Sequence, residues 1–302
     1  MIFFLTQLVL ATPLVAAYAL FALGIVLIYR ASRVLNLAHG VMAMVPAYVS
    51  FRLRELGLPM PVAILLGVAS GAALGAAVEA VFVRRLRKVS PTAQTVGTVA
   101  VYGLGVAVIA RVFGTTPVRP ESAFGDGEIL FGSAGISHGQ IGLIVVACIL
   151  TALLFALFRF TSLGLAMRGS ASNRTAAALM GVNPDRTTAV AWMMGGALAA
   201  VAGIMLSSVS TLDPFGFPLQ ALPAFVAALI GGLGSMPGAL AGSLVVGLTI
   251  GAVPGLTNAP IIGGFVSSIG ASQAVLAVVA FVVMAMRGEK LSASNVRSAG
   301  LS

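Results

Sequence analysis

The sequence of 302 residues has few charged side chains, and acidic ones are the rarest. Asp and Glu together number 8, and all charged residues make up 8% of the chain, against 59% for hydrophobic residues. The mean hydropathy is +1.08. A soluble domain needs far more surface charge, typically about 25% of its residues. The composition therefore predicts a protein that lies in a lipid bilayer.

Several kinds of chemical site have no counterpart in the sequence. The single cysteine, Cys148, lies in an apolar run and can form no intramolecular disulfide. The only lysines, Lys88 and Lys290, do not belong to a G-x-x-x-x-G-K-[ST] phosphate-binding loop. No zinc-type Cys/His cluster and no Ser/His/Asp set is indicated by spacing. We expect no catalytic residue, no metal site and no cofactor, so energy from ATP would have to come from another chain.

The net charge of +9 is the one feature that favours nucleic-acid binding. The basic residues, however, form short clusters between apolar runs and have no aromatic platform beside them. Membrane topology explains such clusters better, and we expect no nucleic-acid partner.

Seven or eight apolar segments are present, which predicts an all-α, polytopic membrane protein with about eight transmembrane segments in one domain, residues 1–302. The first segment precedes the first basic residue, Arg30, so it does not have the charge pattern of a signal peptide. The segments are roughly Leu8 to Tyr29, Asn36 to Phe51, Pro59 to Val83, Thr92 to Val112, Ile141 to Phe158, Ala189 to Ser208, Leu222 to Val253 and Val266 to Met286.

The last two segments lie in a run of 73 residues, 214 to 286, without one charged side chain. Gly and Pro interrupt this run repeatedly, and a broken backbone in lipid needs protein or a water-filled cavity around it. The piece from Leu222 to Val253 is therefore predicted to be broken or re-entrant, entering and returning on the same side.

Basic residues predict the orientation, because cytoplasmic loops carry an excess of Lys and Arg. One orientation leaves only Arg52, Arg54, Arg111 and Arg119 outside, with an outer loop at about 114–140, a cytoplasmic loop at about 159–188 and a cytoplasmic tail at about 287–302. The N-terminus then lies outside and the C-terminus inside. Thirteen of the 17 basic residues are then cytoplasmic: Arg30, Arg33, Arg84, Arg85, Arg87, Lys88, Arg159, Arg168, Arg174, Arg186, Arg287, Lys290 and Arg297.

The cytoplasmic loop contains GLAMRGSASNRTAAALMGVNPDR, Gly164 to Arg186. A short helix from Thr175 to Met180 is predicted, with Ser172 or Asn173 as its N-cap and Gly181 after its end. Its apolar face has no obvious partner in the chain, which indicates either docking to another protein or a helix on the membrane surface. The candidate contact residues are Ser172, Asn173, Arg174, Ala177, Leu179, Met180 and Gly181.

Two further motifs are candidates for a translocation pathway. In NLAHG, His39 is either a neutral imidazole bonded to a turn backbone or a group that titrates near neutrality. GGLGSMPGALAG, Gly231 to Gly242, either presents freed backbone groups to a polar solute or packs helices tightly through small residues. The pathway and hinge candidates are Asn36, His39, Gly40, Gly231, Gly232, Gly234, Pro237 and Gly238.

In this order and spacing, the three motifs resemble those of the branched-chain amino acid permease family of bacterial ABC importers, from about Leu8 to Met286. The resemblance implies a permease subunit in the cytoplasmic membrane, moving branched-chain amino acids or related small polar solutes by alternating access. Its implied partners are a second homologous permease, two cytoplasmic ATPases and an extracytoplasmic solute-binding protein. The loop from Gly164 to Arg186 would be the coupling helix. Family members often carry acidic residues there, whereas Ser172 to Ala178 contain none.

A stand-alone secondary transporter or channel is the alternative, since broken helices also suit that class. It would ordinarily need intramembrane charges for ion coupling, and only Glu79 qualifies. Glu79 lies about one turn from Arg84, so an ion pair is a simpler interpretation than a proton relay. A structural membrane scaffold would leave the Gly-broken segment unexplained.

Overall fold

A computed structural model describes residues 2–86, 89–125, 127–131, 134–252, 274, 276–278 and 281. Five of its helices are long and apolar enough to cross a membrane: Ala11–Ser32, Met60–Leu86, Thr92–Phe113, His138–Phe160 and Pro184–Val209. Phe217–Gly231 and Met236–Gly251 are shorter apolar helices. The prediction of a polytopic helical membrane protein is confirmed. Most of the predicted segment Val266 to Met286 and the tail at 287–302 lie outside the described residues.

The helices follow the predicted apolar segments closely. A π-helical turn, Glu79–Val83, lies between α3 and α4, and a 3-10 turn, Phe217–Ala221, precedes α10. The α-helices are α1 Ile2–Ser32, α2 His39–Glu55, α3 Met60–Val78, α4 Arg84–Leu86, α5 Pro91–Phe113, α6 His138–Phe160, α7 Ser162–Ser172, α8 Arg174–Leu179, α9 Pro184–Val209, α10 Leu222–Gly231 and α11 Met236–Ala252.

Helices α1 and α9 form the centre of the bundle. In the most apolar stretch of α1, 83% of the residues are buried, against 17% in α5. Helix α1 packs on α6, α9, α10 and α11, whereas α5 has few neighbours and exposes Val96, Leu104 and Val112. The surface of α5 therefore faces lipid or another subunit.

Glycines let α3 and α9 pack in close contact. A Cβ built on Gly75 would lie 2.2 Å from the carbonyl oxygen of Trp192, and one on Gly71 would lie 2.5 Å from the Cβ of Ala200. Gly75 follows Gly71 in α3, whereas its partner Trp192 precedes Ala200 in α9, so the two helices run antiparallel. Small residues allow such close approach between membrane helices, where dispersion contacts take the place of the hydrophobic effect.

The two ends of the bundle carry different charges. At one end, called the basic end, α1, α4 and α6 finish and α9 begins; Thr188 Oγ1 donates to the Ala31 carbonyl there, 3.4 Å away. At the loop end, Arg54 pairs with Glu121 at 2.7 Å. The described basic residues at the basic end are Arg30, Arg33, Arg84, Arg85, Arg159, Arg168, Arg174 and Arg186. Arg87, Lys88, Arg287, Lys290 and Arg297 lie outside the described residues.

The loop between α5 and α6 contains a small β-hairpin that the sequence did not predict. Strand β1, Glu128–Phe131, pairs antiparallel with β2, Ala134–Ser137, with Glu128 opposite Ser137. Ser137 also caps α6, since its hydroxyl accepts from the Gln140 N–H and the Gln140 side chain accepts from the Ser137 N–H. The helical prediction therefore holds for the apolar segments that the structure describes, and the hairpin belongs to the loop end.

Candidate functional site

The predicted hinge is a tight turn between α10 and α11. Gly232 has a φ of +86°, a left-handed conformation that favours glycine, and ends α10. The Ser235 hydroxyl accepts from the Gly238 N–H at 3.0 Å and caps the start of α11. Pro237 lies in the first turn of α11, where a helix has unpaired N–H groups in any case. The GGLGSMPG pattern thus supplies one helix stop and one helix start.

Backbone contact across the turn explains two of the glycines. A Cβ on Gly231 would lie 2.1 Å from the Gly238 carbonyl oxygen, and one on Gly242 would lie 2.0 Å from the Ala227 carbonyl oxygen. Gly234 differs, since a Cβ there would meet no atom within 4 Å. The close-contact prediction is therefore wrong for Gly234. The structure supports tight helix packing at Gly231 and Gly238, and a pathway role for the hinge stays a prediction.

The α10–α11 hairpin lies along α1 and places its turn at the basic end. Pro237 shares a groove with Arg30, near the end of α1. At the other end of the hairpin, a Cβ on Gly251 would lie 2.2 Å from the Cβ of Ala11. Helix α10 therefore runs towards the basic end and α11 returns from it, as predicted for the segment from Leu222 to Val253; Val253 itself lies outside the described residues.

The first three residues of NLAHG, Asn36 to Ala38, enter the bundle without helical structure, and His39 and Gly40 begin α2. Asn36 is buried, and its Oδ1 accepts from the Ala38 N–H at 3.2 Å. Thr98 of α5 accepts from the Leu37 N–H at 3.0 Å. These side chains take the place of helical hydrogen bonds, which irregular backbone in a membrane protein requires. Gly40 then packs on the 3-10 turn, because a Cβ there would lie 2.0 Å from the Pro218 carbonyl oxygen.

His39 begins α2 and is completely buried. Its ring lies edge-on to Phe21, with the ring centroids 6.0 Å apart, and fills the space beside Gly24. Neither ring nitrogen makes a hydrogen bond to a described residue, although the Phe21 backbone is close by. The backbone that approaches the ring belongs to helix α1 and not to a turn, and the hydrogen bond of His39 stays a prediction. A functional role for His39 stays a prediction.

Glu79 makes the ion pair that the sequence predicted. Its carboxylate is fully buried and lies on the π-helical turn. Arg84 donates to both carboxylate oxygens, with Nη2 2.6 Å from Oε2 and Nε 3.3 Å from Oε1. A charge held in two bonds by a neighbouring guanidinium is poorly placed for ion coupling. This contact counts against a stand-alone secondary transporter.

Two short helices, α7 and α8, cover the basic end between α6 and α9. The sequence predicted α8: Asn173 Oδ1 accepts from the Ala176 N–H at 2.9 Å, and Gly181 follows the helix with a φ of +82°. Helix α7 was missed. Its signal was Thr161, whose hydroxyl accepts from the Gly164 N–H at 3.1 Å and caps the helix before Leu163 and Leu165.

Helix α8 is fixed to α9 and exposes an apolar tip. Arg174 forms an ion pair with Asp185 and donates to Thr188 Oγ1 at 3.3 Å. Leu179 and Met180 are 84% and 83% exposed, as expected of a docking face, whereas Ala177 is only 7% exposed. Ala177 is not part of this exposed tip, because it is nearly buried; it lines the adjacent groove between α7 and α8, and its role in docking stays a prediction. Ser172, Asn173 and Gly181 are exposed beside the tip.

A groove of about 520 Å³ lies between α7 and α8. Its lining carries no charged side chain; Leu165, Ala166, Ala176, Met180 and Val182 supply apolar surface, and Ser162, Ser172 and Asn173 supply polar groups. With the tip formed by Leu179 and Met180, it makes a continuous apolar surface at the basic end. Such a surface suits either a protein partner or lipid.

The loop end contains a charged cavity that sequence reasoning missed. It measures about 270 Å³, and its charged lining residues are Arg54, Glu55, Arg119 and Glu121. Its wall also includes Ile64, Ile204 and Met205. In the sequence these charges served only as markers of topology, because the two segments that supply them, at Arg54 and Glu55 and at Arg119 and Glu121, are far apart along the chain.

Comparison with known proteins gives one consistent result. Residues 8–285 match the family model described as branched-chain amino acid transport system / permease component. The chain is 30% identical to the high-affinity branched-chain amino acid transport system permease protein LivH of Escherichia coli, covering 82% of this chain and 85% of that protein. It is 31% identical to the corresponding protein BraD of Pseudomonas aeruginosa (81% and 84%) and 30% identical to the probable LivH of Methanocaldococcus jannaschii (76% and 75%).

Proposed function

The chain belongs to the family of permease components of branched-chain amino acid transport systems, and we propose that it is the membrane-spanning subunit of an ATP-driven importer. Its solutes are branched-chain amino acids or related small polar solutes. The chain is a transport permease and not an enzyme, so ATP hydrolysis takes place on partner subunits.

The observation that carries this proposal is the exposed tip of α8, combined with the match over nearly the whole chain. Leu179 and Met180 project from a short helix that is capped at both ends and fixed by Arg174. A rigid helix with an apolar tip can transmit displacement to α9, which begins four residues after Met180 and lies at the centre of the bundle. We assign α8 as the coupling helix.

The proposed assembly contains a second homologous permease, two cytoplasmic ATPases and an extracytoplasmic solute-binding protein. When the ATPases close on ATP, they draw the two α8 helices together and change which side of the membrane the pathway faces. The shift between the inward-facing and outward-facing states is limited by the difference in the affinity of the ATPases for these two states. The hinge and NLAHG residues are the proposed pathway elements, and the solute-binding protein selects the solute.

Co-purification tests the proposed class of transporter. The full-length chain, expressed with the proposed partner permease, ATPases and binding protein, should bring down the ATPases and transport leucine into vesicles only with internal ATP and the external binding protein. A stand-alone transporter would take up leucine without the ATPases. ATP hydrolysis by the purified single chain would overturn the assignment.

The basic end is proposed to face the cytoplasm, because positive residues remain on that side during insertion. In a variant whose native Cys148 is replaced by Ala, we expect Thr116→Cys at the loop end to react with a membrane-impermeant maleimide in intact cells. Ser172→Cys at the basic end should react only after the cells are opened. Both positions are exposed, so accessibility to solvent does not distinguish them. The reverse labelling pattern would contradict the orientation.

A further inference from the structure

A groove with a basic rim lies at the basic end and shares no lining residue with the groove between α7 and α8. It measures about 410 Å³, and α1, α6, α7 and the start of α11 supply its walls. Arg30, Arg159 and Arg168 line it together with Phe155, Phe160 and Met236. Because the apolar spans α1 and α6 end at this level, the groove lies where the hydrocarbon of a bilayer meets its headgroups.

The three arginines are held beside aromatic rings, and no acidic side chain in the described part of the chain forms an ion pair with them. The guanidinium carbon of Arg30 lies 5.5 Å from the centre of the Phe158 ring, and that of Arg159 lies 5.7 Å from the centre of the Phe160 ring. The positive charges of Arg168 and Arg33 act on Arg30. Within the described part of the chain, the ion pairs join other residues, and none involves these three arginines. Such a cluster attracts an anion.

The remaining wall of the groove favours a ligand with an apolar part. Phe160 is 78% exposed, and Phe155, Ala152 and Ala156 continue the apolar surface along α6 towards the membrane interior. The first residues of α11, Met236 and Pro237, bring a helix N-terminus to the same groove, which adds a partial positive charge. An inorganic anion would satisfy the arginines but would leave this apolar wall unused.

We propose that the groove binds an anionic glycerophospholipid. Its phosphate lies against Arg30, Arg159 and Arg168, since guanidinium groups bind phosphate oxygens in pairs, and its acyl chains lie along Phe155 and Phe160. Basic pockets between membrane helices bind acidic headgroups by the same chemistry. This lipid site goes beyond the transport function and depends only on the chain lying in a membrane.

The test measures lipid retained by the full-length chain in native mass spectrometry, after reconstitution with equal amounts of phosphatidylglycerol and phosphatidylcholine of the same acyl chains. We expect phosphatidylglycerol to be retained in preference. The double variant Arg30→Gln/Arg168→Gln should lose it about tenfold or more. The matched control Arg85→Gln removes an exposed arginine at the same end that does not line the groove, and it should retain the lipid.

A single variant and a competition experiment complete the test. Arg168→Gln alone changes an exposed side chain and should lower retention even if the double variant folds poorly. Inorganic phosphate in millimolar excess should not displace the lipid. Equal retention of the two lipids, or an equal loss in Arg85→Gln, would mean that the arginines only reach the headgroup layer. Displacement of the lipid by inorganic phosphate would mean that the groove is a free-anion site. Each of these results would overturn the proposal.

Discussion

Replacing Leu179 with glutamate is expected to lower ATP-driven uptake about tenfold or more and to weaken binding of the ATPases to the permease. Leu179 is 84% exposed at the tip of α8, so the substitution leaves the packing of the chain intact. Burying a leucine side chain at a partner surface contributes about 1.5–3 kcal/mol, which corresponds to roughly 10- to 100-fold in the association constant. A carboxylate at that contact also has to be desolvated, and this increases the loss.

The control for this change is Leu56→Glu. Leu56 is also an exposed leucine, at 64%, but it lies at the loop end after α2. Its variant should bind the ATPases and transport leucine like the parent. Both variants are compared by uptake into vesicles and by the yield of ATPase on the tagged permease. If Leu179→Glu assembles and transports normally, α8 is a surface helix and the coupling assignment fails. Ala177→Glu is unsuitable for this purpose, because Ala177 is buried within the chain.

Substituting Gly231 is expected to abolish uptake, while the same substitution at Gly234 leaves it unchanged. A Cβ on Gly231 would lie 2.1 Å from backbone atoms of Gly238, so α10 and α11 have to move apart. Overpacking of this kind costs about 1–3 kcal/mol, and the contact here is with backbone, which has no alternative rotamer. A Cβ on Gly234 would meet nothing within 4 Å, although it lies in the same turn.

The two positions are compared as alanine and valine variants, by uptake and by the amount of protein in the membrane. Gly231→Val should lose transport while some protein remains in the membrane, and Gly231→Ala should lie between it and the parent. Gly232→Val should also be impaired, because Gly232 has a φ of +86°. Normal uptake by Gly231→Val would show that the hairpin contact is not needed. Loss at Gly234 would indicate a contact with another subunit.

Local chemistry made α8 and the hinge predictable from the sequence. Asn173 before a short run of helix formers and Gly181 after it define a helix by capping alone. In the same way, Gly232 and Pro237 define a stop and a start. The site could be predicted to this extent because hydrogen bonds between residues two to five positions apart determine it.

Packing between helices explains where these predictions differ from the structure. Ala176, Ala177 and Ala178 are identical residues in the same helix, and only the packing of α8 in the structure shows that Ala177 is the buried one. Gly231 and Gly234 cannot be distinguished in the sequence, yet only Gly231 contacts Gly238 in the structure. The ring of His39 lies beside Phe21 and Gly24, on a different helix, because the segment from Val34 to Ala38 enters the bundle.

The sequence by itself determined a membrane protein of about eight apolar segments, their approximate bounds and the segregation of basic residues. Hydropathy and charge are summed over many neighbouring residues, so these features need no knowledge of tertiary contacts. Only the tertiary structure decided that Leu179 and Met180 are exposed while Ala177 is buried, and that Arg30, Arg159 and Arg168 meet around one groove. Those arrangements depend on which helices pack together, and contacts between helices far apart in the chain leave no local pattern in the sequence.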